Sequence, residues 1–229
     1  MRFAALLLLA AMSLNAQVDN NAHGWYMYFG DHPIGNSRWG AHLEGQWRRA
    51  DLGLTSQQIL LRPALNFQLN KKVMLTGGYG FVETYRYGDY PVKSNFPEHR
   101  TYEQAQITQK FLGLDFQNRL RLEQRHILGS SARYENRFRY MLRINIPLKN
   151  KRYYIGLYNE VFYNFGKNVA FNVFDQNRAY VALGRNMAHQ TRIEIGFMEQ
   201  TVQHRDGRVF EHNHTLQVAI YSKLPVGRH

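Results

Sequence analysis

Arginine and glutamate alternate with apolar residues between positions 119 and 143, in the most distinctive charge pattern of the chain. Side chains two residues apart share one face of a β-strand, so this spacing predicts ladders of guanidinium and carboxylate groups. Rings of arginine select anions in pores, whereas arginines facing carboxylates form ion pairs between strands. Because carboxylates are interleaved with the arginines, we favour an ion-paired plug over an anion-preferring passage. The predicted ladder comprises Glu44, Arg62, Arg119, Arg121, Glu123, Arg125, Arg133, Glu135, Arg137, Arg139, Arg143, Arg192 and Glu194.

The hairpin that contains residues 119–139 has two competing registers. One register places Glu123 opposite Arg137 and Arg125 opposite Glu135, whereas its neighbour places Glu123 opposite Glu135. Unlike charges stabilise a cross-strand pair and like charges destabilise it. The sequence therefore predicts the first register.

Histidines near the C-terminus raise the question of a metal site. His212 and His214 share one face of an extended chain, and His204 and Asp206 lie nearby in the sequence. A zinc site needs a third ligand and supporting hydrogen bonds, and this spacing has low specificity. We therefore expect solvated loop residues and no metal or other cofactor, and the same expectation applies to His99.

A hydrolase at the extracellular rim of a barrel is the alternative function. No cysteine is present, which excludes disulfides, thiolate zinc sites and cysteine nucleophiles. The serines after the N-terminal segment are few and none lies in a recognisable nucleophile setting. An Asp/His pair that activates water could come from Asp89, Asp175, Asp206, His99, His204 and His212, but no spacing singles out one pair.

Period-two alternation of apolar and polar residues runs through most of the chain, and only β-strands separate residues in this way. The candidate strands cover 38–48, 58–69, 73–86, 101–112, 114–126, 133–146, 152–164, 174–185, 189–200 and 213–224. These windows predict ten strands, although twelve are possible. Residues 23–30 look strand-like, but a further strand would make the count odd, so we expect a partial strand or a plug there. Pro63 interrupts a good strand and predicts a bulge.

The connections between these strands alternate in length, with tight turns at one end and longer polar loops at the other. This layout is typical of outer-membrane barrels, whose short turns face the periplasm and whose strands return the C-terminus to that side. We therefore expect an all-β, transmembrane, antiparallel up-and-down β-barrel. A secreted soluble barrel of lipocalin type is the alternative fold, but it would leave the arginine faces in water.

Residues 1–16 predict a secretory signal peptide, since Arg2 precedes a short apolar run that ends at the small Ala16. Residues 17–229 then form a single barrel domain. The formal net charge is +12, but nucleic-acid binding is not expected of an exported chain whose arginines face a barrel interior. The expected surroundings are outer-membrane lipid and lipopolysaccharide, with small anions as solutes.

The two faces of each strand predict different environments. A charge on the lipid face costs about 2–4 kcal/mol at the bilayer centre, so the polar face must line the interior. Arg38, Arg48 and Arg178 join the ladder in that assignment. Aromatic residues near strand ends predict girdles at the membrane surfaces: Trp39, Trp47, Tyr79, Tyr85, Tyr134, Tyr153, Tyr163 and Tyr221.

Several stretches resemble a family of small bacterial outer-membrane β-barrels known only as a domain of unknown function. They are Gly78-Tyr79-Gly80-Phe81, the run from Arg119 to Arg125, Arg137-Phe138-Arg139-Tyr140, Asn159-Glu160-Val161-Phe162 and Gln176-Asn177-Arg178. The resemblance extends from about Trp39 to Tyr221. It implies a barrel fold and no particular activity. We expect a non-enzymatic outer-membrane barrel, either structural or a narrow anion-preferring passage.

Overall fold

The computed structural model describes residues 17–150 and 152–227. The predicted signal peptide lies outside these residues. Within them, no helix combines the length and the apolar composition needed to cross a membrane.

The described residues fold into one closed β-barrel, in which each strand pairs with its neighbours in chain order. The strands are β1 (Gln17–Pro33), β2 (Trp39–Ala50), β3 (Thr55–Gln68), β4 (Val73–Thr84), β5 (Phe96–Phe111), β6 (Leu114–Ile127), β7 (Arg133–Pro147), β8 (Tyr153–Phe165), β9 (Phe174–Asn186), β10 (Thr191–Gln203) and β11 (Val209–Ser222). Each of the predicted windows overlaps one strand from β2 to β11. The all-β barrel expected from the alternation is therefore confirmed.

The strand count differs from the predicted ten, because β1 is a complete strand rather than a partial strand or plug. It pairs antiparallel with β2 and parallel with β11, and this parallel seam closes the odd-numbered barrel. The start of β1 and the end of β11 consequently lie at opposite ends of the barrel. The C-terminal end of β11 lies at the end with the tight turns, as expected, although the even strand count behind that expectation is wrong.

The sequence of β1 shows no clear alternation of apolar and polar residues, because its inward positions include large apolar side chains. Trp25 is buried and packs with Tyr180, Ala182 and Met198, while Met27 lies beside this cluster. Apolar residues therefore point to both faces of β1, and the period-two test fails.

The two ends of the barrel differ in their connections. The short-turn end carries the connections 34–38, 69–72, 112–113, 148–152 and 187–190. The long-loop end carries 51–54, 85–95, 128–132, 166–173 and 204–208. The tightest connection is Leu112-Gly113, where φ is positive at both residues, as a two-residue hairpin loop requires. The predicted longer loops are present at 85–95 and 166–173, whereas 51–54, 128–132 and 204–208 are as short as the turns at the other end.

The barrel turns apolar side chains outward and polar side chains inward, which is the opposite of a lipocalin-type barrel. Exposed outward residues include Leu43, Leu61, Leu65, Trp47, Val181, Leu183, Ile195 and Leu216. Two assignments from the sequence are wrong. Arg38 is exposed in a short turn, where it donates hydrogen bonds to the carbonyls of Gln68 and Leu69. Tyr221 faces inward, where its ring lies against Arg143 and Arg192.

Pro63 does not create the predicted bulge. The β3–β4 ladder skips Arg62 and Pro63, but its register is the same on both sides of the gap. Proline lacks only one hydrogen-bond donor, and Gly78 of β4 allows the two strands to approach closely. β3 therefore continues past Pro63 without an extra residue.

Candidate functional site

The hairpin of β6 and β7 has the register predicted from charge. Glu123 lies opposite Arg137, and Arg125 lies opposite Glu135. The charged side chains of both strands therefore face inward together and reach the strands across the barrel.

Glu123 is the centre of the charged layer, which we define as Glu44, Glu123 and Glu160 with the arginines around them. Its side chain is 0% exposed and accepts hydrogen bonds from Arg137 and Arg139 at 2.6 Å each. The guanidinium groups of Arg62, Arg100 and Arg121 lie 3.7–3.9 Å away. One buried carboxylate thus joins arginines from β3, β5, β6 and β7.

Further carboxylates extend the charged layer around the interior. Glu44 of β2 accepts a hydrogen bond from Arg62 at 2.6 Å. Glu160 of β8 accepts hydrogen bonds from Arg119 at 2.7 Å and from Arg139 at 2.8 Å. The Glu44–Arg62 and Glu160–Arg139 pairs join neighbouring strands. The Arg119–Glu160 pair instead joins β6 to β8, across one intervening strand.

The remaining ladder residues lie towards the two ends of the interior. At the long-loop end, Glu135 accepts hydrogen bonds from Arg133 at 2.6 Å and from Arg205 at 2.5 Å. Towards the short-turn end, Glu194 pairs with Arg143 and accepts a 2.6 Å hydrogen bond from the Tyr154 hydroxyl. The partly buried Arg192 stacks on the Tyr221 ring, with 4.5 Å from Cζ to the ring centroid.

Several interior charges were left out of the predicted ladder, among them Asp19, Glu98, Arg100, Glu160, Asp175 and Glu211. Glu98 and Arg100 were assigned to a long loop, but β5 begins at Phe96 and turns both inward, where they pair at 2.6 Å. Arg125 also pairs with Glu98, at 2.5 Å. Glu160 was hidden among aromatic residues, and Asp175 was a rim candidate. Asp175 instead accepts a hydrogen bond from Arg137 at 2.9 Å inside the barrel.

A large chamber of about 1120 Å³ occupies the short-turn half of the interior. Its walls combine apolar and amide side chains, such as Met27, Met141 and Gln106, with Arg119 and Arg192. Its mouth is lined by Lys71, Lys72, Lys110 and Lys223. The chamber is therefore basic at its rim and mixed in its walls.

A second, inner cavity of about 170 Å³ lies on the other side of the charged layer. Three side chains line both spaces: Trp25, Arg139 and Arg178. These residues form the wall between the chamber and the inner cavity. The chamber and the inner cavity therefore adjoin at these three side chains.

Tyr87 of the loop 85–95 reaches into the long-loop end of the barrel. Tyr87 donates a hydrogen bond to Glu211 at 2.9 Å, and its ring contacts His23 edge-on at 5.3 Å. Burial raises the pKa of Tyr87, so its hydroxyl remains a donor. The carboxylate of Glu211 also pairs with His204. Burial alone would lower the pKa of His204, but the hydrogen bond and charge of Glu211 raise it above its usual value.

The candidate metal and hydrolase residues do not converge. His212 and His214 point outward from β11, and the latter pairs with Glu199 at 2.7 Å. His204 faces the interior side with Glu211, and His99 hydrogen-bonds the Tyr79 hydroxyl on the outer face. In residues 17–150 and 152–227, no group of three histidine, cysteine or acidic side chains could hold a metal.

Comparisons with known proteins give a family and no activity. A family model described as "Protein of unknown function (DUF2490)" matches residues 22–211. An uncharacterised protein of Methylorubrum extorquens is 26% identical over 174 residues, which cover 72% of each chain. No solved structure matches. Since the family model spans most of the chain, the barrel with its charged layer belongs to the DUF2490 family of proteins of unknown function.

Proposed function

We propose that this chain is a non-enzymatic outer-membrane β-barrel whose interior is closed to solutes at mid-height. The observation that carries the proposal is the set of contacts around Glu123, which connects β3, β5, β6 and β7 within hydrogen-bond or ion-pair distance. Removing one partner from a buried ion pair costs about 3–5 kcal/mol, so such a layer does not open by thermal motion of single side chains.

The outer surface supports the membrane location. Its apolar side chains face outward along the strands while most arginines within the strands face inward, as lipid on one side and a polar lumen on the other require. Short turns face the periplasm in this orientation, and the surrounding partners are outer-membrane lipid and lipopolysaccharide. The chamber then opens towards the periplasm, and its lysine rim favours small anionic solutes.

A narrow anion-preferring passage is the second candidate function. It is favoured by the wall between the cavities, which consists of the three side chains Trp25, Arg139 and Arg178. Displacement of these side chains would join the chamber to the inner cavity. Arginines would then line the constriction, and rings of arginine favour anions.

Single-channel conductance in a planar bilayer separates the two functions. We expect silence from the wild-type barrel. Ohmic, anion-preferring steps from a Trp25→Ala, Arg178→Ala double variant would assign the closure to the wall rather than to the contacts around Glu123. Arg185→Ala is the matched control, since Arg185 lies outside both cavities near Tyr153. Steady anion-preferring steps from the wild type would contradict closure and support the passage.

The membrane location has its own test at Trp47, which points outward and is 51% exposed. Trp47→Asp places a charge on the lipid face and should block assembly into outer-membrane vesicles, whereas Trp47→Phe should assemble. Cell fractionation with heat-dependent gel migration measures assembly. Equal assembly of the two variants would contradict the membrane-facing assignment.

A further inference from the structure

The lining of the inner cavity carries more arginines than carboxylates. Its lining includes seven arginines and one acidic residue, Asp175. The arginines are Arg48, Arg62, Arg100, Arg125, Arg137, Arg139 and Arg178. Five of them lie within 3 Å of a carboxylate oxygen of Glu44, Glu98, Glu123, Glu160 or Asp175. The other two, Arg48 and Arg178, have no carboxylate within 4 Å in the described part of the chain.

These two arginines flank the same indole ring. Arg48 lies over Trp25 at 3.9 Å and Arg178 lies at 5.1 Å, each measured from Cζ to the ring centroid. Both are buried, so water does not screen them as it would at the surface. Stacking on an aromatic face compensates only part of the cost of burying a charge.

Arg48 uses more of its hydrogen-bond donors than Arg178 does. Arg48 donates to Gln46 at 2.5 and 2.8 Å and to Gln58 at 2.6 Å. Arg178 donates through Nε to Gln176 at 3.1 Å, and among the described residues nothing accepts from its Nη atoms. Among the described residues, the Nη groups of Arg178 are therefore unused cationic donors at the cavity.

We propose that the inner cavity binds one small oxyanion, such as phosphate or sulfate, between Arg48 and Arg178. The oxyanion would accept hydrogen bonds from the free Nη groups of Arg178 and would supply the negative charge that the lining lacks. Charge-assisted hydrogen bonds from guanidinium groups to phosphate are among the strongest in proteins. Amide groups of Gln57 and Gln200 line the same space and complete a polar cage.

The size of the cavity favours a free anion over a group on a larger molecule. The volume of about 170 Å³ holds an oxyanion with a few waters and no lipid or sugar chain. Tyr87 lines the cavity and anchors the loop 85–95 through its hydrogen bond to Glu211. Trp25, Arg139 and Arg178 separate the cavity from the chamber. The proposal concerns binding in the closed barrel and is independent of whether the barrel conducts.

The test measures inorganic phosphate binding to the purified full-length barrel refolded in zwitterionic detergent. Equilibrium dialysis with radiolabelled phosphate should give one phosphate per barrel, displaced by sulfate and unaffected by sodium chloride at matched ionic strength. Arg48→Gln and Arg178→Gln should each weaken phosphate binding about tenfold or more, because each removes a charged donor. Arg185→Gln is the control outside the cavity and should leave binding unchanged.

A conservative variant separates binding from folding. Arg178→Lys keeps the positive charge but loses the planar pair of donors, so it should bind phosphate more weakly than wild type and more tightly than Arg178→Gln. Circular dichroism and heat-dependent gel migration confirm the folded barrel in each variant. Equal binding by folded wild type and Arg178→Gln would overturn the proposal, as would equal displacement by chloride. Phosphate that binds at the chamber rim instead would be lost from a Lys71→Gln, Lys72→Gln variant and retained by Arg178→Gln, which also overturns it.

Discussion

The two halves of the barrel interior have the same strands as walls but very different contents. The short-turn half contains the chamber of about 1120 Å³, whereas the long-loop half contains the inner cavity of about 170 Å³. In the long-loop half, arginines pair with Glu98, Glu123 and Glu135, mostly along one strand or between neighbouring strands, so their long side chains fill it. Ion pairs and buried aromatic rings such as Phe162 therefore occupy this half of the interior.

Two glycines on the wall of the short-turn half allow close contacts. A Cβ on Gly184 would lie 2.1 Å from the Tyr154 ring, and one on Gly196 would lie 2.5 Å from the carbonyl oxygen of Val181. The Tyr154 ring therefore lies against the β9 backbone at Gly184, where its hydroxyl donates a hydrogen bond to Glu194.

The largest expected effect is the loss of the charge at Glu123. Glu123→Gln leaves Arg137 and Arg139 without their buried carboxylate, which should lower the free energy of unfolding by about 3–5 kcal/mol. Urea unfolding of the barrel in lipid vesicles, followed by tryptophan fluorescence, measures this loss.

The matched control is at the short-turn end, where Asp115 and Lys110 form a 3.3 Å pair with side chains 42% and 85% exposed. Asp115→Asn should cost about 0–1 kcal/mol, since water screens exposed pairs. Equal losses at positions 115 and 123 would show that the two halves do not differ in the way described.

Adding a side chain at Gly184 should have the next largest effect on the stability of the barrel. Gly184→Ala forces the Tyr154 ring off the wall and should destabilise the barrel by about 1–3 kcal/mol through overpacking. Gly45→Ala is the control, because a Cβ there meets no atom within 4 Å. A neutral Gly184→Ala would mean that the ring does not depend on the glycine.

The same Gln→Ala substitution, made at one glutamine in each half, compares the stability of the two halves. Gln57 is buried in the long-loop half and accepts a 2.7 Å hydrogen bond from the Trp25 indole, whereas Gln106 lines the chamber and accepts one from Gln117 at 3.0 Å. Gln57→Ala should cost about 1–3 kcal/mol because a buried donor loses its acceptor. Gln106→Ala should cost less than about 0.5 kcal/mol, because chamber water can replace its partner. The same unfolding assay measures whether Gln57→Ala costs more stability than Gln106→Ala.

The smallest effect is a pH dependence at the long-loop end. The pKa of His204 is raised in the folded barrel, so its pairing with Glu211 contributes fully below the unfolded value of about 6.5 and is lost as the pH rises through the folded pKa. Amide exchange in the 204–208 loop should therefore speed up over that window beyond its intrinsic pH dependence. His204→Gln should remove this extra dependence, and its persistence in that variant would assign it to another group.

Much of the fold could be predicted because alternation and charge act locally. The register of β6 and β7 followed from the positions of Glu123 and Glu135, since only one pairing avoids opposed carboxylates. β1 could not be predicted in this way, because Trp25 points inward and gives the strand two apolar faces. The beginning of β5 was missed for a related reason, since Pro97 and polar neighbours make Glu98 and Arg100 look like loop residues.

The candidate site was less predictable than the fold. Period two indicates which face a side chain takes, but not how far an arginine reaches or which carboxylate it meets across the lumen. The wall formed by Trp25, Arg139 and Arg178 joins β1, β7 and β9, which are distant in sequence. The unmatched charges at Arg48 and Arg178 become visible only when every interior carboxylate has been assigned to its partner.

The parallel seam determines the order in which the barrel can be completed. β1 and β11 pair from Gln17 opposite Val209 to Gly30 opposite Ser222, which are the most distant strands along the chain. Pairing these two strands closes the longest loop in the barrel and has the largest entropic cost, so we expect this pairing to form last. A variant that keeps Trp25 as its only tryptophan should report it as a slow phase in fluorescence. Until then both edges are unpaired and can recruit strands from other molecules. The seam is therefore where folding competes most directly with aggregation.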